Sequence, residues 1–257
     1  KAILNMPLGE RGGLKLSLKD TQSDSHVFNT TLNERRPFKD TQVGSVSVKY
    51  DVTDNTSVML TYDDYDHDTT APDNVFVATG FLASIGFGAG SIASEADSWK
   101  TSPQLLPLTA RLTGENTTLN IRHIGDNYEI KYIMGIMEYE EEVHEASWGI
   151  NGIFFPVDRL QDFEQTSHEL QFISDFDGPL NYVAGLYYLE ADSYIKSGPA
   201  ILFRANHELE ATAAFGEVTY DFSDDWSITA GARFTQEDKY LVSRSYGGSF
   251  DAWSADS

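Results

Sequence analysis

The chain has 257 residues and a formal net charge of −22, because 40 Asp and Glu residues outnumber 18 Lys and Arg residues. This balance argues against a nucleic-acid partner, since phosphate binding requires clustered Lys and Arg. Cysteine is absent, which excludes a disulfide framework and a thiolate metal site. No run approaches the ~18 consecutive apolar residues of a membrane-spanning helix, and residues 1–13 lack the pattern of a signal peptide.

Runs of alternating apolar and polar residues recur along the whole chain. In the first run Leu14, Leu16 and Leu18 alternate with polar residues. A period of two is typical of β-strands, because successive side chains point to opposite faces. Further runs follow at residues 45–51, 57–63, 118–122, 128–136, 169–172, 182–188, 214–222 and 226–235. The pattern predicts an all-β chain of about ten strands.

Short and long connections alternate between these strands. The short polar turns lie at residues 9–13, 53–55, 125–127, 177–180 and 223–225. The long segments lie at residues 24–40, 68–115, 144–165, 196–207 and beyond 241. This alternation places all turns at one end of the strands, as in outer-membrane barrels with short periplasmic turns and long extracellular loops. Soluble β-sandwiches seldom keep this asymmetry, because Greek-key crossings mix connection lengths.

Aromatic residues cluster near both ends of the predicted strands. From Trp226 to Phe234 the rise is roughly 19 Å at ~3.3 Å per residue and a tilt of about 45°, within an apolar band of about 25 Å. The pattern favours two aromatic girdles, although aromatic residues are common in any strand. The turn-side set is Tyr50, Tyr128, Phe176, Tyr182, Tyr220, Phe222 and Trp226, and the loop-side set is Tyr62, Tyr139, Tyr188, Phe234 and Tyr240. We therefore expect an antiparallel transmembrane β-barrel.

Two segments resemble the middle barrel strands of TonB-dependent receptors from Gram-negative outer membranes. Residues 168–194 read HELQFISDFDGPLNYVAGLYYLEADSY, and residues 213–241 read AAFGEVTYDFSDDWSITAGARFTQEDKYL. The matching elements are the E-L-Q-F strand, the G-P-L-N-Y turn into A-G-L-Y-Y, and the hairpin around S-D-D-W-S. A weaker similarity in strand rhythm extends back to the first residues.

This resemblance implies a barrel of 22 strands with a plugged lumen, preceded by a plug domain and a TonB box. Such receptors capture a scarce ligand, such as a ferric siderophore, haem, cobalamin or a glycan. The TonB complex then pulls on the plug and releases the ligand inward. We expect residues 1–257 to form part of this barrel domain, without the plug domain and terminal strands. The implied location is the bacterial outer membrane, with lipid and lipopolysaccharide as further partners.

The polar face of the last predicted hairpin carries Glu217, Arg233 and Glu237. In a barrel this face lines the lumen, where these charges can contact the plug or a polar ligand. Ordinary cross-strand pairing, such as Glu217 with Arg233, is an equally good interpretation.

A glycine-rich stretch at residues 80–94 lies in the longest connection. Its glycines, Gly86, Gly88 and Gly90, are spaced G-x-G-x-G, which matches no nucleotide-binding loop. We expect an extracellular recognition loop in this region, with Phe87 and Trp99 as candidates for ligand contact.

Two acidic runs lie at the loop ends of strands. In the first, Asp64, Asp66 and Asp68 alternate along one strand. Hard cations bind carboxylate oxygens, so these residues are weak candidates for a surface-cation site, but a solvated acidic rim is the favoured interpretation. The second run, at residues 138–145, invites the same two interpretations. Divalent ions bridging lipopolysaccharide phosphates would bind at this end.

No catalytic set emerges from the sequence. Ser167, His168 and Glu169 are adjacent, but neighbouring strand residues point to opposite faces and do not form a triad. We expect no enzymatic activity and no cofactor.

Two other classes of protein fit parts of the same pattern. A passive porin-like channel would share the barrel wall but lack the plug and the TonB box. A soluble extracellular β-sheet binding protein would share the strands but bury their apolar face.

Overall fold

The computed structural model describes residues 1–24, 28–29, 33–35, 37–69, 101–102, 109–150, 153–198, 203–245, 248–249 and 253–256. All extended regular structure in these ranges is β-strand. Nowhere in them does a helix have the length and apolar character needed to cross a membrane.

Ten strands of 7 to 23 residues form the framework of the described chain. Four shorter segments accompany them. The long strands are β1 (Ala2–Leu8), β2 (Gly12–Asp24), β4 (Pro37–Thr53), β5 (Thr56–Thr69), β7 (Thr109–Ile124), β8 (Tyr128–Ile150), β9 (Ile153–Ser174), β10 (Leu180–Gly198), β11 (Phe203–Ser223) and β12 (Trp226–Ser245). The short ones are β3 (Phe28–Asn29), β6 (Thr101–Ser102), β13 (Gly248–Ser249) and β14 (Trp253–Asp256). The prediction of an all-β chain with about ten strands is confirmed.

The long strands form one antiparallel sheet in chain order. Its order is β1-β2-β4-β5-β7-β8-β9-β10-β11-β12-β13, and β14 also pairs with β12. The short β3 and β6 pair in parallel as a separate two-stranded sheet. Among the described residues β1 and β12 are not paired with each other, so this sheet is open.

The short turns lie at one end of the sheet, as the sequence predicts. Backbone hydrogen bonds of 2.8 Å join each turn to the end of a neighbouring strand. Four such bonds link the five turns in succession. In each, a backbone amide near one turn donates to a backbone carbonyl of the neighbouring turn: Asp51 to Arg11, Ile124 to Asn55, Asp175 to Asn127, and Asp221 to Pro179. All five turns therefore belong to the same edge.

The strands are longer at the opposite end than the sequence predicts. Residues 144–150 and 153–165, which lie in an expected loop, instead continue β8 and β9, and the two strands stay paired as far as Ile150 and Ile153. β7 likewise begins at Thr109, inside the expected loop at 68–115. Regular alternation of apolar and polar residues is lost in these segments, but backbone pairing does not depend on side-chain polarity. The period-two signal therefore underestimates strand length outside the apolar band.

The two faces of the sheet differ in composition. One apolar row of directly opposed residues crosses eight strands on a face that we name the outer face, in which Leu186 is 60% exposed and Phe234 is 74% exposed. The row is Tyr50, Val58, Ile121, Tyr132, Leu170, Leu186, Ala214 and Phe234. The opposite, inner face carries the buried apolar side chains Val143, Ala191, Ala205, Ala211 and Ala213. An exposed apolar outer face is typical of barrels in lipid.

The aromatic girdles follow the outer face, with one exception. Trp226 and Phe222 are 68% and 58% exposed beside a turn, and Tyr240 is 40% exposed towards the other end. Tyr139 was expected in the loop-side girdle, and this is wrong. It directly opposes Gly114 and Phe163 on the inner face, because it follows the acidic Glu138 of the outer face by one residue.

His168 is a polar side chain on the outer face, where its ring lies between those of Tyr132 and Tyr188 at centroid distances of 6.1 and 6.2 Å. Its Nδ1 and the Tyr132 hydroxyl are hydrogen-bonded at 2.8 Å, which satisfies a group that would be costly in lipid. Its sequence neighbours Ser167 and Glu169 lie on the inner face, as predicted.

Candidate functional site on the inner face

A row of three inner-face residues crosses β10, β11 and β12. Gly185 directly opposes Phe215, and Phe215 directly opposes Arg233. Side chains at directly opposed positions of antiparallel strands lie within contact distance. The register therefore brings a glycine, an aromatic ring and a guanidinium group together.

The glycine of this row makes room for the ring. A Cβ atom built on Gly185 would overlap the ring of Phe215. The ring therefore lies across β10 in the place that a side chain would occupy, beside Tyr187 on the same strand and face. This covering of a strand glycine by a cross-strand aromatic residue is a recurrent device in β-sheets.

Arg233 lies over the aromatic surface formed in this way. Its Cζ atom is 5.3 Å from the ring centroid of Tyr187 and 5.6 Å from that of Phe215. Both distances fall within the ~6 Å range of cation–π attraction. Its Nε donates a hydrogen bond of 3.1 Å to the Thr235 hydroxyl, which fixes the rotation of the guanidinium plane.

The other two predicted lumen charges share this face. Glu217 opposes Gly231 rather than Arg233, so the direct pairing of Glu217 with Arg233 is wrong and the two side chains are diagonal neighbours. Glu237 opposes Ala211 and forms an ion pair with Lys239 at 2.5 Å. The structure brings all three charges onto the predicted face, and it gives Arg233 aromatic contacts that the sequence did not indicate.

A second ionic group on the inner face was missed by the sequence analysis. Arg122 donates from Nε and from a terminal nitrogen to the two oxygens of Glu129, each at 2.7 Å. Lys131 lies 3.2 Å from the same carboxylate. The signal was present in the alternation of residues 120–131, where these charges occupy the polar positions on either side of a turn. Forked pairing of this kind fixes geometry as well as charge.

An aromatic group lies further from the turns on the inner face. Tyr139 and Phe163 are directly opposed, and their rings stack at a centroid distance of 4.9 Å with 21° between the planes. The side-chain amide of Gln161 donates to the Tyr139 hydroxyl at 3.0 Å. A Cβ on Gly114 would lie 2.5 Å from the Tyr65 hydroxyl, so Tyr65 covers this glycine much as Phe215 covers Gly185.

The outer face carries acidic residues beyond its apolar band. Six carboxylates are directly opposed across six neighbouring strands, and we name them the carboxylate row: Asp64, Glu115, Glu138, Glu164, Asp192 and Glu208. A depression of about 290 Å³ is lined by four of them, together with residues of the adjacent rows. Like charges at directly opposed positions repel each other, so this row favours counterions.

The three candidate cation ligands lie along one face of β5. Arg111 pairs with Asp66 at 2.8 Å, and this hydrogen bond holds the pKa of the Asp66 carboxyl below its usual value. Asp64 belongs to the carboxylate row, and Asp68 directly opposes Arg111. Across the ranges that the structure describes, no group of three or more His, Asp or Glu side chains is placed to hold a metal ion.

The candidate loop contacts Phe87 and Trp99 lie outside the described residues, as does the glycine-rich stretch at 80–94. Their role in ligand contact stays a prediction.

The whole described sheet is similar to known receptor barrels. The ferric yersiniabactin uptake receptor FyuA from Yersinia pestis superposes with a TM-score of 0.77 at 15% identity, over 99% of this chain and 39% of that one. The ferric-catecholate import receptor Fiu from E. coli gives 0.71 at 11% identity, over 99% and 43%. The ferric citrate transporter FecA gives 0.68 at 13% identity, over 99% and 37%. The chain thus spans less than half the length of each of these structures.

Sequence comparison defines the family. No curated sequence is similar enough to count as a match. The family model described as TonB dependent receptor-like, beta-barrel, matches residues 16–256. This match argues against the alternative of a soluble binding protein. The chain therefore belongs to the TonB-dependent receptor β-barrel family, whose members are outer-membrane proteins of Gram-negative bacteria.

Proposed function

We propose that this chain forms part of the wall of an outer-membrane receptor that imports a scarce ligand with energy from the TonB complex. The main support for this proposal is the family match over residues 16–256. It is supported by a sheet whose outer face exposes an apolar row and whose inner face carries ordered charges and aromatic rings. Residues 1–257 then belong to one barrel domain, and the remaining strands and the plug belong to the rest of the receptor.

The ligand classes to test are ferric siderophores, haem, cobalamin and glycans. Three similar structures carry names that refer to ferric compounds: ferric yersiniabactin, ferric catecholates and ferric citrate. Their sequence identity of 11 to 15% supports the shared fold alone, so an iron chelate is the first ligand to test. We propose transport rather than catalysis, in keeping with a family of receptors.

Contacts with the plug or the ligand are proposed for Glu217, Arg233 and Glu237. Their support is a shared position on the inner face. Phe87 and Trp99 are proposed as additional ligand contacts in an extracellular segment.

Lipid and lipopolysaccharide are proposed partners of the outer face. The exposed apolar row through Leu186 and Phe234 suits acyl chains. The carboxylate row lies beyond this band, at the level where the outer leaflet carries its phosphates. Divalent cations held between the two sets of anions would relieve the repulsion within the row.

Uptake by a strain that lacks the parent gene tests the function. We expect slower growth under iron limitation, or on one glycan as carbon source, and recovery when the gene is restored. Recovery should require TonB and the inner-membrane proton gradient. A passive porin-like channel would restore uptake in a strain without TonB, and that result would contradict the energised mechanism.

A further inference from the structure

We propose that Arg233 is a pre-arranged binding group for a carboxylate on the inner face, held in place by the rings of Phe215 and Tyr187. The inference rests on the proposed function, because it names the chemical group that this part of the wall receives from the lumen.

The site is built from the register. Gly185, Phe215 and Arg233 are directly opposed on three adjacent strands. Because Gly185 has no side chain, the Phe215 ring occupies the space over this position on β10, and Tyr187 lies two residues further along the same face. The guanidinium group then has two aromatic faces beneath it, at 5.3 and 5.6 Å.

The contacts of Arg233 leave most of its hydrogen-bonding capacity open. A guanidinium group carries five N–H donors in one plane. Nε–H is donated to Thr235, whereas the cation–π contacts with the two rings use none of the other donors. Within the described ranges, the four N–H donors on the two terminal nitrogens have no hydrogen-bond partner, and the residue is exposed.

The other two arginines on the inner face of the long strands, Arg122 and Arg159, already have anionic partners, and so do some of the lysines. Arg122 and Lys131 share Glu129, Lys239 pairs with Glu237, and Arg159 pairs with Glu141 at 2.9 Å. The recorded contacts of Arg233 within the described ranges are Thr235, Phe215 and Tyr187. In a chain with 40 acidic and 18 basic residues, an ordered arginine stacked on rings instead of on a carboxylate is suited to an anion from outside the wall.

The shape of the group selects the class of anion. Two parallel N–H donors match the two oxygens of a carboxylate and bind it in forked geometry. Two sources present this group in the lumen of a receptor: a dissolved ligand that carries carboxylates, and an acidic side chain of the plug.

Titration of the full-length receptor tests the site. Wild type, Arg233→Gln and Arg233→Lys are purified in detergent, with Arg204→Gln as control, because Arg204 lies on the outer face. Trisodium citrate is the probe and calorimetry the readout. If the anion is dissolved, Arg233→Gln weakens citrate binding at least about tenfold, Arg233→Lys weakens it less, and Arg204→Gln leaves it unchanged.

A second arm detects a plug carboxylate, which would occupy the site and block citrate. In that case, with both proteins measured in the absence of citrate, the melting midpoint of the wild type exceeds that of Arg233→Gln. The comparison is then repeated with both proteins also carrying Glu217→Gln, which removes the carboxylate diagonal to Arg233. The difference between their midpoints then vanishes as the pH falls through the usual carboxylate range near ~4, whereas loss of the ring contacts alone gives a difference that does not depend on pH. A pH-independent difference without citrate binding would overturn the proposal. Failure of the wild-type gene to restore uptake would instead count against the proposed function.

Discussion

Across strands β5 to β12, the same register aligns complementary groups on the inner face and like charges on the outer face. On the inner face it sets complementary groups side by side, as in the forked pairing of Arg122 with Glu129 and the stacking of Arg233 on Phe215. On the outer face it aligns six carboxylates that have no complement in the row. The difference indicates that many charges of the inner face are paired within the protein, whereas the aligned carboxylates of the outer face repel each other.

The largest effect is expected from a charge placed in the apolar row. Leu186→Arg should cost about 2–4 kcal/mol of barrel stability, because an arginine near the middle of the bilayer is poorly solvated. Urea unfolding of the full-length receptor in lipid vesicles measures the loss. Gln171→Arg is the matched control, since Gln171 lies one residue from Leu170 but on the inner face. Equal losses for both variants would contradict the assignment of the two faces.

A smaller loss is expected when the inner-face row is overfilled. Gly185→Ala should destabilise the receptor by about 1–3 kcal/mol, because the new methyl group displaces the Phe215 ring and with it the stacking of Arg233. Gly178→Ala is the control, because a Cβ there has no atom within 4 Å. Thermal unfolding compares the two variants. Similar melting midpoints for the two variants would show that packing of the Phe215 ring does not require a glycine at position 185.

Neutralising part of the carboxylate row should stabilise the receptor slightly. The double change Glu138→Gln and Glu164→Gln removes one directly opposed pair, with a gain of about 0.2–1 kcal/mol at low salt and without divalent cations. Magnesium should remove or reverse the gain. Glu10→Gln, in a turn at the opposite end, serves as control. A gain that is the same with and without magnesium would argue against cation bridging.

The alternation of residues predicts the faces and the turns, because burial in lipid requires apolar side chains at every second position. It does not predict where the strands end. β8 and β9 continue through residues 144–150 and 153–165, where apolar and polar residues no longer alternate regularly, because backbone pairing does not require that alternation. Tyr139 illustrates the same limit, because its face is set by the count of residues from Tyr128 and not by its aromatic character.

The charged residues of the inner face were predictable as a set, whereas their partners were not. Alternation alone places Glu217, Arg233 and Glu237 on one face. The partner of Arg233 depends on the exact register of β11 against β12, and a shift of two residues would put Glu217 opposite it. The carboxylate row was hidden for the same reason, since its six members come from six separate stretches of sequence.

The smallest effect is expected at His144, near the far end of β8. Hydrogen bonds to Asp158 at 2.7 Å and Glu142 at 3.0 Å raise the pKa of His144 above its ordinary 6.5. A raised pKa in the folded state contributes stability below pH 6.5 and loses it as the pH rises through the folded value. The side chain is 45% exposed, so solvent screening limits the effect to a few tenths of a kcal/mol, roughly. His144→Gln should flatten the pH dependence of unfolding above pH 6.5, and Asp158→Asn should flatten it in part, because Glu142 still contacts the imidazole. A wild-type slope in either variant would contradict the pairing.

Spin labels placed along β12 can show whether one face of these strands contacts lipid and the other an aqueous lumen. The 257 residues contain no cysteine, so single cysteines can be placed at positions 227 to 235 and spin-labelled in the full-length receptor reconstituted in vesicles. The accessibility of the labels should alternate with a period of two residues. Labels at 228, 230, 232 and 234 should collide with lipid-dissolved oxygen, and labels at 227, 229, 233 and 235 with a water-soluble relaxation agent. Uniform accessibility, or the inverse alternation, would contradict the account.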